Sequence, residues 1–167
     1  MAEPASGGAV EPACVWAVAP KVLKDAVVAA GPVNDAISKA VSDTPQQVLV
    51  DMVAAAGAKC HLPKTDAAEQ LVGKIVYSEA TKAWALAQLK SNFGVTEAAI
   101  AAERAKLTPE ARAVFTHSAD TGTPQHEAQV LAMLTVAEAL GLKKTDNLDG
   151  VIYYLVGCAD LDLLEPH

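Results

Sequence analysis

Large aromatic side chains are scarce in this sequence. Only 4% of the 167 residues are Phe, Trp or Tyr, although 51% are apolar. A core built mainly from Ala, Val and Leu buries little area at each side chain, so many modest contacts must supply its hydrophobic free energy. Because small side chains also let helices approach closely, we expect a bundle of closely spaced helices.

Runs of like charge are also missing. The 20 acidic residues outnumber the 13 basic ones, which gives a net charge of −7, and no five like charges are consecutive. Affinity for nucleic acid comes chiefly from clustered cations that release counterions. The sequence therefore predicts no nucleic-acid partner, and we interpret the acidic surface as a source of solubility. Mimicry of DNA and contact with a basic protein are the alternatives.

Long apolar runs are absent as well. The apolar residues 13–19 form a short stretch that ends at Pro20, and residues 1–8 carry Glu3 where a signal peptide has basic residues. No stretch reaches the length of about 20 residues that a transmembrane helix needs. We therefore predict no transmembrane segment and an intracellular, soluble protein of the cytoplasm or an organelle interior.

The cysteines are few, and their spacing shows no paired motif. Cys14, Cys60 and Cys158 are an odd number, and no two form a Cys-x-x-Cys motif. This spacing predicts free, partly buried thiols in a reducing compartment, without a disulfide framework. Cys60 adjoins His61 in a predicted loop, and we interpret it as an incidental thiol. It would become reactive if it lay at the N-terminus of a helix.

The sequence contains many signals for the start of a helix. Thr44, Thr108 and Thr123 each precede Pro, and Thr65 and Thr96 each precede an acidic residue, which are favourable helix openings. A Gln three residues after Thr44 predicts a capping box there. Apolar residues recur between these starts at helical spacing. The predicted helices cover residues 20–30, 33–41, 44–56, 65–90, 97–106, 109–117, 124–140 and 146–156.

The fold class predicted from this pattern is all-α. We expect a compact, alanine-rich bundle of about six to eight helices, with residues 1–12 as a flexible N-terminal arm and residues 13–167 as a single helical domain. The Thr-Pro pairs are unequally spaced, so they do not mark a repeat array. The predicted inward residues are Val72, Val76, Ala83 and Ala87 on the longest helix and Val130, Leu131, Leu134 and Ala137 on the next-to-last. Glu69, Glu79, Glu127 and Glu138 are assigned to solvated faces.

Metal-binding patterns are not found. His61, His117, His126 and His167 form no His-x-x-x-His pair, and close ligand pairs are typical of structural zinc sites. Residues 145–150 resemble the start of a calcium loop, but the position of its bidentate Glu is Val156. We interpret that segment as a turn and helix cap. The sequence predicts no metal and no cofactor.

Two aromatic residues on the longest helix are the candidate interaction surface. Tyr77 and Trp84 are seven residues apart and share one face of that helix. They either fill the core or face a partner, because Trp and Tyr are enriched at binding hot spots.

No residue set indicates catalysis, and we assign no catalytic residues. The function predicted first is a non-catalytic helical protein-interaction module with a protein partner, such as an accessory subunit of a larger assembly. The sequence does not determine the oligomeric state. The first alternative is a helical binder of an apolar small molecule or pigment, because Ala- and Val-rich walls leave space between helices. His61, His117 or His126 would then be available to a tetrapyrrole. The second alternative is an enzyme of unknown class that uses Cys60 or a histidine.

Overall fold

The computed structural model describes residues 10–63, 66–116 and 122–164. Within these ranges the chain forms nine α-helices, one short 3-10 helix and no β-strand, which confirms the all-α prediction. The helices are α1 (Pro12–Val18), α2 (Lys21–Ala30), α3 (Ala36–Ser42), α4 (Gln46–Lys59), α5 (Ala67–Phe93), α6 (Glu97–Ala105), α7 (Pro109–Ala113), α8 (Pro124–Ala139) and α9 (Asp149–Asp162). The 3-10 helix, Val114–Thr116, follows α7 directly. Helices α2 to α9 correspond to the eight predicted ones, and α1 is an addition.

Three of the predicted threonine caps are present. The hydroxyl oxygens of Thr96, Thr108 and Thr123 each accept a hydrogen bond at 3.2 Å from the backbone N–H three residues later. This bond satisfies one of the donors that the first turn of a helix leaves without a partner. Thr65 lies outside the described residues.

The capping box predicted at Thr44 is wrong. Its hydroxyl donates to the backbone carbonyl of Ala40 at 2.9 Å, so it belongs to the end of α3. Helix α4 begins at Gln46, with Pro45 at the cap position and no side chain capping it. Helix α3 ends so close to the start of α4 that the Thr44 hydroxyl donates to a carbonyl of α3.

The described residues divide into two units, and the boundary lies within α5. The first unit runs as far as Ala80 and includes Leu164, whereas the second unit covers Thr81–Leu163. The expected single domain at residues 13–167 stays a prediction. Of the expected arm at residues 1–12, the first nine lie outside the described residues, and Pro12 is already the first residue of α1.

A disulfide in the first unit corrects the prediction of free thiols. Cys14 in α1 is bonded to Cys60, the residue after α4, with a Cα–Cα distance of 5.6 Å. The two residues are 46 apart in sequence, and spacing alone did not reveal that α1 packs beside α4. Cys158 is free and buried. The reducing compartment inferred from three free thiols therefore loses its basis.

The core of the first unit is aliphatic and comes from all five of its helices. Its fully or nearly fully buried members include Val15, Leu23, Val27, Ile37, Met52, Ala56, Val72 and Ile75. Trp16 and Tyr77 pack against its edge and are half-buried. The expectation of a core built from Val, Leu and Ala holds here, since no aromatic ring belongs to the buried cluster.

The second unit has its own core, in which α9 approaches α5 closely. Buried side chains there include Leu89, Ile100, Phe115, Val136, Val151 and Leu155. Gly150 permits the approach, because a Cβ atom at this position would lie 2.7 Å from Leu89 Cγ and 3.1 Å from the Ala85 carbonyl oxygen.

Several side chains differ from the prediction in whether they are buried or exposed. Leu131 is 69% exposed, Leu134 is half-buried and Ala87 is exposed, while Glu79 is only 8% exposed. Val72, Val76 and Ala137 are buried as predicted. The errors arise because α5 and α8 carry apolar residues around much of their circumference. Spacing alone then does not select a face, and the packing of neighbouring helices does.

Candidate functional site

The first unit contains an apolar pocket of about 290 Å³. Four helices, α2 to α5, contribute to its wall. The apolar side chains that line it are Leu23, Val41, Leu49, Val50, Met52, Val53, Val72 and Val76. Leu23, Met52, Val72 and Val76 also belong to the buried core, so the pocket opens directly onto the core of the unit.

A glycine within α5 leaves part of this space unfilled. Gly73 lines the pocket, and a Cβ atom placed on it would have no heavy atom within 4 Å. Glycine inside a helix costs about 1 kcal/mol relative to Ala. No close backbone approach requires it here, unlike at Gly150. The residue therefore keeps the pocket wall open at a cost in helix stability.

Two polar side chains complete the lining among the described residues. Gln46 is the first residue of α4, and Glu69 lies in the first turn of α5. Both are exposed, whereas most of the apolar lining is not. The pocket thus combines an apolar interior with one amide and one carboxylate that remain in contact with solvent.

Glu69 is the only charged residue among those lining residues. Within the part of the chain that the structure describes, no ion pair or hydrogen bond engages its carboxylate. Lys21 of α2 pairs with Asp25, and Lys39 Nζ of α3 lies 2.6 Å from Asp43 Oδ2, whereas Lys24 Nζ lies over the Trp16 ring, 5.5 Å from its centroid. Among the described lining residues, the charge at the pocket mouth is therefore that of the Glu69 carboxylate.

A buried thiol in the second unit is the other group that we considered as a reactive residue. Burial raises the pKa of Cys158, and the positive charges of Arg104 and Lys82 only partly oppose this effect. Burial also raises the pKa of Tyr154, which is hydrogen-bonded to Cys158. A nucleophilic cysteine needs the thiolate form. This environment instead keeps Cys158 protonated at neutral pH, and the arrangement is that of a packed core.

The candidate interaction residues lie in different units. Trp84 is half-buried in the second unit, where its ring meets that of Tyr153 edge to face at a centroid distance of 5.5 Å. It also lines a small pocket of about 60 Å³ with Asn92, Asn147 and Asp149. Tyr77 packs against the core of the first unit. Each ring thus contributes to packing in its own unit, and their role as an interaction surface stays a prediction.

The cysteine and histidine candidates are not assembled into a site. Cys60 is in the disulfide and follows the C-terminal end of α4, the opposite end from the one that would activate a thiol. His61 is exposed, and His126 lies in the first turn of α8. His117 and His167 lie outside the described residues. Within the described ranges, no group of three or more His, Cys, Asp or Glu residues is placed to hold a metal ion.

The segment that resembles a calcium loop is a turn. The Asn147 side-chain oxygen accepts a hydrogen bond from the Asp149 backbone N–H at 3.0 Å, immediately before α9. The Asp146 carboxylate accepts one from the Lys143 backbone N–H at 2.7 Å. Both side chains thus shape the turn that the sequence interpretation expected, but the helix cap expected with it is absent, because Leu148 is at the cap position of α9 and no side chain caps the helix.

The chain matches no protein-family model, no curated protein and no solved structure. None of the helices in the described ranges is long and apolar enough to cross a membrane. The site must therefore be interpreted from its own geometry.

Sequence reasoning did not identify the pocket residues. Their helices were predicted, but which faces meet depends on packing. One signal was available: Gly73 interrupts a helix of good helix formers at a position where neither a turn nor a helix end is predicted. A glycine inside a helix generally has a packing or functional reason.

Proposed function

We propose that this chain is a non-catalytic helical binding protein whose first unit holds an apolar small molecule. The observation that carries the proposal is the pocket between α2, α3, α4 and α5, with eight aliphatic side chains and two polar ones in its lining. Binding sites for small molecules are typically concave and mostly apolar, with a few polar groups that fix orientation. The sequence analysis also expected a core poor in aromatic residues to leave space between its helices.

The dimensions favour a small ligand. A volume of about 290 Å³ lies just below the range of about 300–1,000 Å³ that is typical of ligand pockets. No histidine or cysteine is among the lining residues that the structure describes. The pocket therefore favours an aliphatic or small aromatic molecule over a tetrapyrrole held by an axial ligand.

A filling substitution tests the proposal. The neutral dye N-phenylnaphthylamine, which fluoresces in apolar surroundings, serves as the probe, and decanol as its competitor. We expect the wild-type chain to bind the dye and to release it to decanol. Gly73→Leu should abolish binding, because the new side chain occupies space at the pocket wall.

A matched control comes from α4. Gly57 is also an exposed glycine inside a helix with no heavy atom within 4 Å of a Cβ, but it does not line the pocket. Gly57→Leu should bind the dye as the wild type does, with circular dichroism confirming equal helix content in all three chains. Equal dye binding by Gly73→Leu, or no binding by the wild type, would refute the proposal.

A protein partner is the second candidate function, and one observation in the second unit favours it. Trp84 is half-buried beside a small notch that also presents Asn92, Asn147 and Asp149. Trp is enriched among the hot-spot residues of protein interfaces. Native mass spectrometry of the chain isolated from its own source tests this candidate: added protein chains that are lost with Trp84→Ala, but kept with Leu131→Ala, would support it.

The disulfide bears on where this function is carried out. Disulfides persist in oxidising compartments and are rare where thiols are kept reduced. The Cys14–Cys60 bond therefore favours an oxidising organelle lumen over the cytoplasm, the two locations that the sequence analysis had left open.

A further inference from the structure

From the charge at the pocket mouth, we infer that the ligand of the first unit is a cationic amphiphile, with an aliphatic body and a protonated amine at one end. This inference rests on the proposed function and adds the class of ligand. The body would occupy the space between the valine and leucine side chains, and the ammonium group would lie at the solvent-exposed mouth near Glu69.

The carboxylate of Glu69 is available to a ligand. It is the one charged group in the described lining, and no described residue forms an ion pair or hydrogen bond with it. An anionic ligand of the same shape, such as a fatty acid, would bring two negative charges together. An amine would instead form an ion pair while its hydrocarbon body leaves water.

The start of α4 contributes the opposing electrostatic effect. Gln46 is its first residue, and the backbone N–H groups of this turn have no side-chain cap. A helix N-terminus carries the equivalent of roughly half a positive charge, whereas the Glu69 carboxylate carries a full negative one. The negative charge is therefore the larger of the two, and Gln46 adds a side-chain carbonyl that can accept a further hydrogen bond.

The expected preference is modest because the mouth is solvated. Exposed ion pairs contribute about 0.2–1 kcal/mol, which corresponds to a preference of roughly 1.5- to 5-fold. This preference should shrink as salt is added, since the Debye length falls to about 3 Å at 1 M ionic strength. The apolar contribution to affinity should change little over the same range.

A set of three probes of equal chain length tests the inference. Decylamine, decanol and decanoate are each titrated against the dye-loaded full chain at neutral pH and low salt. We expect decylamine to bind more tightly than decanol, and decanol more tightly than decanoate. Glu69→Gln should bring decylamine and decanol to equal affinity.

The control variant separates local from general charge effects. Asp51 lies on α4 and does not line the pocket, and Asp51→Asn changes the net charge by the same amount. It should leave the preference for decylamine intact. Binding of decanol with no preference for the amine, or the same loss in Asp51→Asn as in Glu69→Gln, would overturn the inference while leaving the proposed function standing. Failure of all three probes would overturn both.

Discussion

Gly150 shows at the scale of one residue how the second unit is packed. A Cβ atom there would approach Leu89 Cγ to 2.7 Å, and Leu89 is fully buried. We expect Gly150→Ala to lower the free energy of unfolding by about 1–3 kcal/mol, the usual cost of overpacking a core. Urea denaturation followed by circular dichroism measures the change.

The control for this prediction is Gly57→Ala. The position is helical and open, so the added methyl group meets nothing. Alanine should stabilise the chain by roughly 0.5–1 kcal/mol through helix propensity. An equal gain in stability from Gly150→Ala would show that the close approach of α9 to α5 is wrong.

Tyr154 and Cys158 make a second prediction at this scale, which concerns pH. Burial raises the pKa of both groups above their ordinary values of 10.0 and 9.0, so the folded state favours their neutral forms. Their contribution to stability is therefore complete below about pH 8, and it is lost as the pH rises through the unfolded-state pKa values towards the raised folded-state ones. We expect the free energy of unfolding to fall as the pH rises above about 8.

Two variants isolate this contribution from the titration of lysines. Cys158→Ala and Tyr154→Phe each remove one ionisable group, so the alkaline loss of stability should be smaller in each variant and smallest in the double variant. The informative quantity is the slope against pH, since the variants also change packing by a pH-independent amount. A slope identical to that of the wild type would contradict the burial of these groups.

At the scale of the helix, the threonines divide into two kinds that the sequence does not distinguish. Thr96 caps α6 through its hydroxyl oxygen, whereas Thr44 donates its hydroxyl to a carbonyl of α3. We expect Thr96→Ala to cost about 1 kcal/mol. Thr44→Ala should cost much less, because bonding of a Thr hydroxyl to the carbonyl four residues earlier does not strengthen a helix.

The measurement is thermal and urea denaturation of the two variants side by side. Thr108→Ala provides a second true cap for comparison, with its hydroxyl oxygen 3.2 Å from the Ala111 backbone nitrogen. Comparable losses at Thr44 and Thr96 would mean that Thr44 does cap α4.

The disulfide acts at the scale of the whole molecule. It closes a loop of 46 residues that contains the whole of α2, α3 and α4, and therefore much of the pocket. For a loop of that length, the chain-entropy account of cross-linking gives about 4 kcal/mol of stabilisation. We expect the Cys14→Ala, Cys60→Ala double variant to lose a free energy of unfolding of that size, measured as a lower midpoint of urea denaturation. A mild reductant should have the same effect on the wild type.

Thiol counting checks the bond directly. In denaturant without reductant, only Cys158 should be alkylated, whereas all three cysteines should be alkylated after reduction. Cys158→Ala should leave the response to reductant unchanged. Three alkylated thiols in the unreduced chain would restore the original interpretation of free cysteines.

The candidate site was less accessible to prediction than the helices. The sequence assigned Glu69 to a solvated face, which is where its carboxylate lies, but gave no reason to associate it with Gln46 and Val53. Tyr77 and Trp84 do share a helix, as predicted, and yet each packs in a different unit. Side chains on separate helices come together only after packing, and apolar spacing does not record which helices will be neighbours.

The sequence by itself determined eight of the nine α-helices in the described residues, all but α1, because hydrogen bonds within a helix and the Thr caps act over three or four residues. The partner of Cys14, the burial of Glu79, the exposure of Leu131 and the pocket beside Gly73 were decided only by the tertiary structure. Each depends on contacts between residues far apart in the chain. Their energies come from the packing of several helix faces at once, which no local pattern in one helix specifies.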